Sequence, residues 1–355
     1  MKGSIQIAKE SYTFHEFAAC DIITRLDIDF KSIQNFIDRW INETEFFELQ
    51  TSGSTGKSKS ISISRQQMIA SALMTGSFLN LEQGDNALLC LSPNYIGGKM
   101  MIVRAMELGL NLHITPPSSN PLKDLSGTTP FQFAAFVPLQ IETLMKSKNG
   151  VDFLNGIDNI IIGGAPVNKE LQAKIQALDS NVYSTYGMTE TVSHIALKHL
   201  NDSSGSNDFF TLPGVQIKID ERDCLKIKAE VTANQWISTN DIVELTSEES
   251  FKWIGRIDNV INSGGIKIQI EALETKIQSL IPDLMFVITS RTNMQYGDTV
   301  VLLSEKNPLT TAEKSLLKAE LGQYQFPKEF RTTASLPLTK NGKPDRIAAR
   351  KIVNS

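Results

Sequence analysis

Short apolar runs alternate with helix-period stretches along most of this chain. Ala87-Leu88-Leu89-Cys90-Leu91, Phe133-Ala134-Ala135-Phe136-Val137 and Ile160-Ile161-Ile162 have the length and uniformity of strands buried on both faces. Each ends in Pro or Gly punctuation and precedes a helical pattern, which predicts a largely parallel sheet covered by helices. Upstream, Ile33-Gln34-Asn35-Phe36-Ile37-Asp38-Arg39-Trp40 reads as a helix and Ser60-Ile61-Ser62-Ile63-Ser64 alternates as a strand. Ser64 and Gln67 form an S-x-x-Q capping box that starts the next helix.

From about Pro213 the pattern changes to period two. Val215-Gln216-Ile217-Lys218-Ile219 and Leu225-Lys226-Ile227-Lys228 read as antiparallel strands wet on one face, after the polar linker Ser203-Ser204-Gly205-Ser206-Asn207. Over the last hundred residues, 271–280 reads as a helix, 284–289 as a strand and 310–321 as a second helix. The predicted fold class is α/β: a large N-terminal domain with a helix-covered, mostly parallel sheet plus an antiparallel subdomain, then a small α+β domain. The boundary is placed near Gly255, giving domains 1–255 and 256–355.

Composition changes this picture little. With 355 residues, 41 % apolar and 21 % charged, the chain has the balance of a soluble globular protein of two domains. A net charge of −4 and no basic stripe argue against a nucleic-acid partner. Three distant cysteines (Cys20, Cys90, Cys224) support neither disulfides nor a zinc cluster. His194 and His199 lack the spacing of a metal-binding helix pair, so they read as core or solvated histidines. Neither a signal peptide nor a membrane-length apolar stretch is seen, so the expectation is a soluble, cytoplasmic protein with no membrane span.

The chemistry begins at residues 50–60, Q-TSGSTGKSKS, directly after the run Glu45-Phe46-Phe47-Glu48-Leu49. A nucleotide P-loop would need Gly at position 51, where Thr51 stands, and would open a helix; here a strand follows. The loop therefore joins two strands and offers hydroxyls, amides and two lysines to an anion. A plain flexible turn is the alternative. Four more segments follow in order. Ile162-Gly163-Gly164-Ala165-Pro166 leaves a buried strand where missing side chains let the backbone approach a planar base. Ser184-Thr185-Tyr186-Gly187-Met188-Thr189-Glu190 offers an aromatic ring, a hydroxyl and a carboxylate suited to magnesium on phosphates. Trp236 to Asp241 precedes Trp253-Ile254-Gly255-Arg256-Ile257-Asp258, and Leu336 to Lys343 ends in Asn341-Gly342-Lys343. Singly, each has an ordinary reading: Tyr186 as a half-buried core aromatic, Glu190 as a helix-start carboxylate, Asn341-Gly342 as a hairpin turn and Lys343 as a surface charge.

In this order, from 51 to 343, the five segments resemble the adenylate-forming superfamily of acyl-CoA synthetases, aryl-CoA ligases and adenylation domains, over about residues 45 to 350. The resemblance implies a two-step reaction: a carboxylate attacks the ATP α-phosphate to give an acyl-adenylate and pyrophosphate, then coenzyme A displaces AMP. It assigns the β/γ-phosphates to Thr51, Ser52, Gly53, Ser54, Thr55, Gly56 and Lys59, and the α-phosphate to Thr189. It puts Mg²⁺ on Glu190, adenine beside Tyr186 and Gly164 with Gly163, Ala165, Thr185 and Gly187 around it, and the ribose on Asp241 and Arg256. Lys343 becomes the catalytic lysine and Asp258 the hinge of a mobile C-terminal domain, with coenzyme A entering beside Ser263-Gly264-Gly265. Lys57 and Lys340 read as solvated neighbours.

Within the superfamily, Ser92 to Gly109 and Tyr186 to Ser193 resemble most the o-succinylbenzoate–CoA ligases of menaquinone biosynthesis. That implies an acid site near Tyr95, Lys99, Arg104, Ser193 and His194. Lys99 and Arg104 either read the acid's second carboxylate or snorkel to solvent. The chain departs from the family pattern at Tyr95 (histidine is usual), Asn240 (glycine) and Lys267 (arginine), and only about fifty residues precede the phosphate loop. Other acyl- or aryl-CoA ligases, or a non-catalytic nucleotide binder, are the rival readings. The partners implied are a small carboxylic acid, ATP and coenzyme A, with a homodimer left open.

Overall fold

The computed structural model describes residues 2–7, 10–20, 30–50, 60–125, 129–293, 297–339 and 344–354. These fall into two compact units. The first comprises Met1–Ile217, Ile227–Ile237 and Thr246–Phe251, the second Lys218–Lys226, Ser238–Leu245 and Lys252–Ser355.

The first unit opens with β1 (Ser4–Ile7), β2 (Glu10–Tyr12), α1 (Phe14–Ala19) and α2 (Phe30–Ile41). α2 buries Phe30, Ile33, Phe36, Ile37 and Trp40 on one face, the helix-period pattern of its sequence. β3 (Phe46–Gln50) and β4 (Ser60–Ser64) form an antiparallel pair whose register sets Gln50 opposite Ser60. α3 (Arg65–Leu79) starts at the expected capping box, the Ser64 hydroxyl accepting from the Gln67 amide and the Gln67 side chain from the Ser64 N–H.

Next come β5 (Asn86–Leu89), α4 (Ile96–Leu108), β6 (Asn111–Ile114), β7 (Phe131–Phe136), α5 (Pro138–Lys146), α6 (Gly150–Asn155), β8 (Ile157–Ile162), α7 (Lys169–Ile175), β9 (Asn181–Gly187), β10 (His194–His199) and β11 (Phe209–Thr211). Their sheet runs β11-β10-β9-β8-β7-β5-β6-β1-β2. From β9 to β1 every pairing is parallel, while β2, β10 and β11 add antiparallel edges. The continuous apolar runs are the central strands: Phe133 to Phe136 and Ile160 to Ile162 are buried throughout. After β6 the chain returns to the other side of β5 to form β7. Such a reversal opens a crevice at the strands' carboxyl ends, where ligands bind in sheets of this kind.

β12 (Gln216–Ile219), β13 (Cys224–Lys228), β14 (Ile237–Ser247) and β15 (Ser250–Arg256) are divided between the two units. The second unit continues with β16 (Val260–Ser263), β17 (Ile266–Gln269), α8 (Ile270–Leu280), β18 (Phe286–Asn293), β19 (Gly297–Glu305), α9 (Thr311–Glu320), β20 (Glu329–Thr333) and α10 (Arg346–Asn354). Its own sheet runs β17-β16-β19-β18, with β20 parallel to β19. On β19, Val300 and Leu302 face the core with α8 and α9, while Val301 and Leu303 face Ala349 and Val353 of α10. This period-two alternation builds a sheet covered on both faces. The helices and strand expected at 271–280, 310–321 and 284–289 are α8, α9 and β18, and the expected α/β fold class holds. No helix among the described residues is long and apolar enough to cross a membrane.

Candidate active site

Four loops leave the carboxyl ends of the neighbouring parallel strands β5, β7, β8 and β9. They carry Ser92 to Tyr95, Val137, Gly163-Gly164-Ala165 and Met188 to Val192. Behind β8 the backbone is drawn tight: a Cβ on Gly163 would lie 2.8 Å from Thr185 Oγ1, whose hydroxyl donates to the Ile162 carbonyl at 3.2 Å. Gly164 follows at φ +84°, left-handed backbone that glycine adopts without a Cβ clash. Tyr186 is half-buried, edge-on to Phe251 with ring centroids 5.1 Å apart and tilted against Phe209 at 5.7 Å. Its ring is therefore held in a fixed plane at the end of β9.

After β9 the chain doubles back sharply. A Cβ on Gly187 would collide with the Ser193 carbonyl, so only glycine lets the two segments cross. Thr189 to Thr191 make one 3₁₀ turn, and the buried Thr191 hydroxyl accepts the Met188 N–H at 3.0 Å. Val192 then sits at φ 66°, ψ −58°, with the Ser193 N–H donating to the Thr191 carbonyl at 2.7 Å. That is a γ-turn at a β-branched residue, a strained conformation costing about 1–3 kcal/mol and usually kept where geometry matters for function. Complete burial of the valine holds it. The turn leaves Glu190 exposed while His194 is buried. Among the described residues no hydrogen bond or ion pair engages the Glu190 carboxylate. No group of three or more His, Cys, Asp or Glu there could cage a metal. Magnesium held by one or two carboxylates and nucleotide phosphates needs no cage, so Glu190 fits it.

Arg104, on α4, is 1 % exposed, and no carboxylate among the described residues pairs with it. One Nη2–H donates to Ser193 Oγ at 3.2 Å, Nη1 lies 3.9 Å from Met101 Sδ, and the buried Nε has no partner. Burial pushes the guanidinium down to about 9, which still leaves it cationic at neutral pH. His194 stands beside it, 5 % exposed, with Nδ1 3.4 Å from Ser193 Oγ and Nε2 3.2 Å from Thr75 Oγ1 of α3. Burial first, then the charge of Arg104, holds the imidazole well below its ordinary pKa and therefore neutral. Snorkelling is excluded for Arg104: it is a buried cation with unspent donors.

Lys99 and Tyr95 are placed differently. Lys99 precedes Arg104 by five residues, roughly 140° round the helix, and its amine donates to the Asn94 carbonyl at 3.3 Å. Burial, then Arg39, lowers its pKa. Tyr95, the N-cap of α4, is 72 % exposed.

In the second unit, Trp253 Nε1–H donates to Asp241 Oδ1 at 3.2 Å, Arg256 pairs with Asp258 at 2.7 Å, and the Asp241 charge also acts on Arg256. The Asn240 amide donates to both Asp258 oxygens at 3.3 and 3.2 Å, and its own oxygen accepts from Arg222. Arg256 and then Asn240 hold the Asp258 carboxyl below its ordinary value. Thr51, Ser52, Gly53, Ser54, Thr55, Gly56, Lys57 and Lys59, with Lys340 and Lys343, lie outside the described residues. Sequence reasoning missed Thr75 and Val192. Thr75 lies in the interior of a helix and meets His194 119 residues later, a pairing that no local pattern signals.

Residues 46–239, more than half of the chain, match the family described as AMP-binding enzyme. The 2-succinylbenzoate–CoA ligase of Escherichia coli is 26 % identical over 308 residues, covering 82 % of this chain and 65 % of the relative. The chain spans about two thirds of the length of the curated relatives it matches. Among solved structures, an acyl-CoA synthetase (AMP-forming)/AMP-acid ligase II-like protein from Dyadobacter fermentans is 37 % identical, with TM-score 0.65 over 93 % of this chain and 96 % of that one. The o-succinylbenzoate CoA synthetase of Bacillus subtilis, in complex with the acyl-adenylate intermediate, has TM-score 0.73 at 21 % identity over 85 % of this chain and 68 % of that one, a likeness of fold.

Proposed function

The chain belongs to the AMP-binding enzyme family, and on that premise we propose that it is an ATP-dependent carboxylate–CoA ligase acting through an acyl-adenylate, with o-succinylbenzoate as its acid. The observation that carries the choice of acid is Arg104. A buried cation without a carboxylate partner costs several kcal/mol in the free protein, and a bound anion offsets that cost. An acid with a second, unreacting carboxylate supplies such an anion. The curated relatives named as 2-succinylbenzoate–CoA ligases support the same choice.

In this reading Tyr186 and the Gly163–Gly164 backbone flank adenine, Asp241 and Arg256 take the ribose, and Thr189 contacts the α-phosphate. Thr51, Ser52, Ser54, Thr55 and Lys59 take the β/γ-phosphates. Glu190 would hold Mg²⁺, which when bound neutralises phosphate charge. Lys343 bridges the attacking carboxylate and the α-phosphate. Positioning and charge stabilisation then supply most of the catalysis, as expected for transfer at phosphorus.

The test is pyrophosphate exchange with a panel of acids, followed by thioester formation with coenzyme A. Exchange should be greatest with o-succinylbenzoate and weak with benzoate or simple fatty acids. No exchange with any acid would leave only a nucleotide binder. Within the same assay, Arg104→Met should raise KM for o-succinylbenzoate about 10–100-fold, the value of hydrogen bonds to a charged group. Its melting temperature should hold or rise, because a shape-matched apolar side chain replaces a buried charge. Unchanged KM in both Arg104→Met and Lys99→Ala would remove the second-carboxylate reading.

A further inference from the structure

The hydrogen bonds around His194 form one connected chain, and the bond that Thr75 makes elsewhere bears on their directions. Thr75 has a single hydroxyl proton, and it goes to the Ser71 carbonyl at 2.9 Å, four residues back in α3. The Thr75 oxygen can then only accept from His194 Nε2, 3.2 Å away. With the proton on Nδ1 instead, the Thr75 hydroxyl would have to leave the Ser71 carbonyl to donate to Nε2, and the Ser193 hydroxyl proton would lose its imidazole acceptor; a doubly protonated ring would stand beside the buried Arg104 charge. The Thr75–Ser71 bond therefore favours the neutral ring with its proton on Nε2. Its Nδ1 lone pair accepts the Ser193 hydroxyl proton at 3.4 Å, and the Ser193 oxygen accepts Arg104 Nη2–H at 3.2 Å. The relay runs one way, from guanidinium through serine and imidazole to threonine and the Ser71 carbonyl. In such a chain each donor strengthens the next acceptor.

We propose that Thr75 is a positioning residue for acid recognition: it locks His194 in the Nε2–H tautomer, which commits the Ser193 hydroxyl to the imidazole and makes the serine oxygen a fixed anchor for Arg104. An arginine offers five N–H donors. The anchor uses one, and the buried Nε–H remains unpartnered, so the held guanidinium presents its remaining donors to a carboxylate in one orientation. This inference rests on the reading of Arg104 as the receptor for the acid's second carboxylate. Thr75 itself touches neither the acid nor the nucleotide in that reading; it acts through the ring. Removing its hydroxyl deprives Nε2–H of its buried acceptor, so the proton moves to Nδ1. Nδ1–H and the Arg104 Nη2–H then share the two lone pairs of the serine oxygen, the serine proton loses its imidazole acceptor, and the anchor weakens.

The experiment pairs a spectroscopic readout with kinetics on the full chain. Imidazole ¹⁵N shifts of histidine-labelled protein at neutral pH, assigned with His194→Asn, should show His194 Nδ1 as the unprotonated nitrogen in the wild type and Nε2 as the unprotonated one in Thr75→Val. Thr75→Ser, which keeps the hydroxyl, should restore the wild-type pattern. KM for o-succinylbenzoate should rise about 2–10-fold in Thr75→Val, the range of one neutral hydrogen bond, with kcat within twofold and recovery in Thr75→Ser. A wild-type His194 protonated on Nδ1, or a tautomer unmoved by Thr75→Val, overturns the lock and needs no acid to observe. A moved tautomer with unchanged KM overturns the positioning role. Failure of the Arg104 reading shows separately, as an unchanged KM in Arg104→Met.

Discussion

Glu190→Gln should abolish adenylation, lowering acid-dependent pyrophosphate exchange by about 10²-fold or more at saturating Mg²⁺, the usual scale for losing one preorganised charge-stabilising group. The fold should survive untouched. Glu190 is exposed and engages nothing among the described residues, so its neutral isostere removes no packing and no ion pair. What changes is charge alone, within the 3₁₀ turn that precedes the strained Val192. An amide oxygen is a poor substitute for a carboxylate on a hard cation, which favours anionic oxygen ligands. Measuring melting temperature beside exchange separates a lost metal site from a damaged fold. Wild-type exchange in the variant would end the metal role of Glu190.

Where elements are set by local signals, the sequence alone reveals them. Ser64 and Gln67 announce the start of α3 because a capping box satisfies two backbone donors with neighbouring side chains. The runs at 87–91, 133–137 and 160–162 are recognisable because strands buried on both faces admit no polar alternation. The order of glycines and hydroxyls likewise places Gly163, Gly164, Gly187 and Glu190 at the carboxyl ends of β8 and β9, as a crevice-type site requires. Less legible is whatever depends on partners far apart in the chain. Lys99 and Arg104 look alike as cations in an apolar segment, yet α4 turns one toward the Asn94 carbonyl and buries the other completely. Val192 looks like an ordinary strand residue until the γ-turn is seen. The Trp253 bond to Asp241 and the Arg256 pair with Asp258 likewise join residues whose meeting no local pattern signals.

The buried arginine also explains why stability and function should separate in this protein. Most buried charges in folded proteins are paired, since desolvation otherwise outweighs what they gain. Among the described residues Arg104 has the Ser193 hydroxyl, the Met101 thioether and the Phe133 ring, whose centroid lies 5.9 Å from its guanidinium carbon, and no carboxylate partner. Such a site is expensive in the free state, and in the proposed reading the acid's second carboxylate offsets that cost. Variants that fill it with carbon should therefore fold at least as well and bind acid worse, the usual trade at a functional site.

Lys343→Ala should slow acyl-adenylate formation by at least about 10²-fold and leave thioester formation from supplied acyl-adenylate nearly normal. In the proposed reaction, negative charge grows on the α-phosphate and its attacking oxygen during the first half only, so a lysine serving that charge is idle in the second. Lys343 stands three residues before Arg346, the first residue of α10. Arg346 is held by a two-pronged pair with Glu274 at 2.9 and 2.8 Å and donates to the Ile288 carbonyl at 3.3 Å. The segment that carries the lysine thus continues into an element fixed to the core of the second unit, and truncating one side chain beyond it should not disturb that core. Lys340, on the same segment but outside the G-K pair, should tolerate alanine in both half-reactions. Paired single-turnover assays, one per half-reaction, on Lys343→Ala and Lys340→Ala make the comparison. Equal losses in the two steps for Lys343→Ala would mean that the lysine supports the structure rather than the charge on phosphorus, and the step-specific role would fall with it.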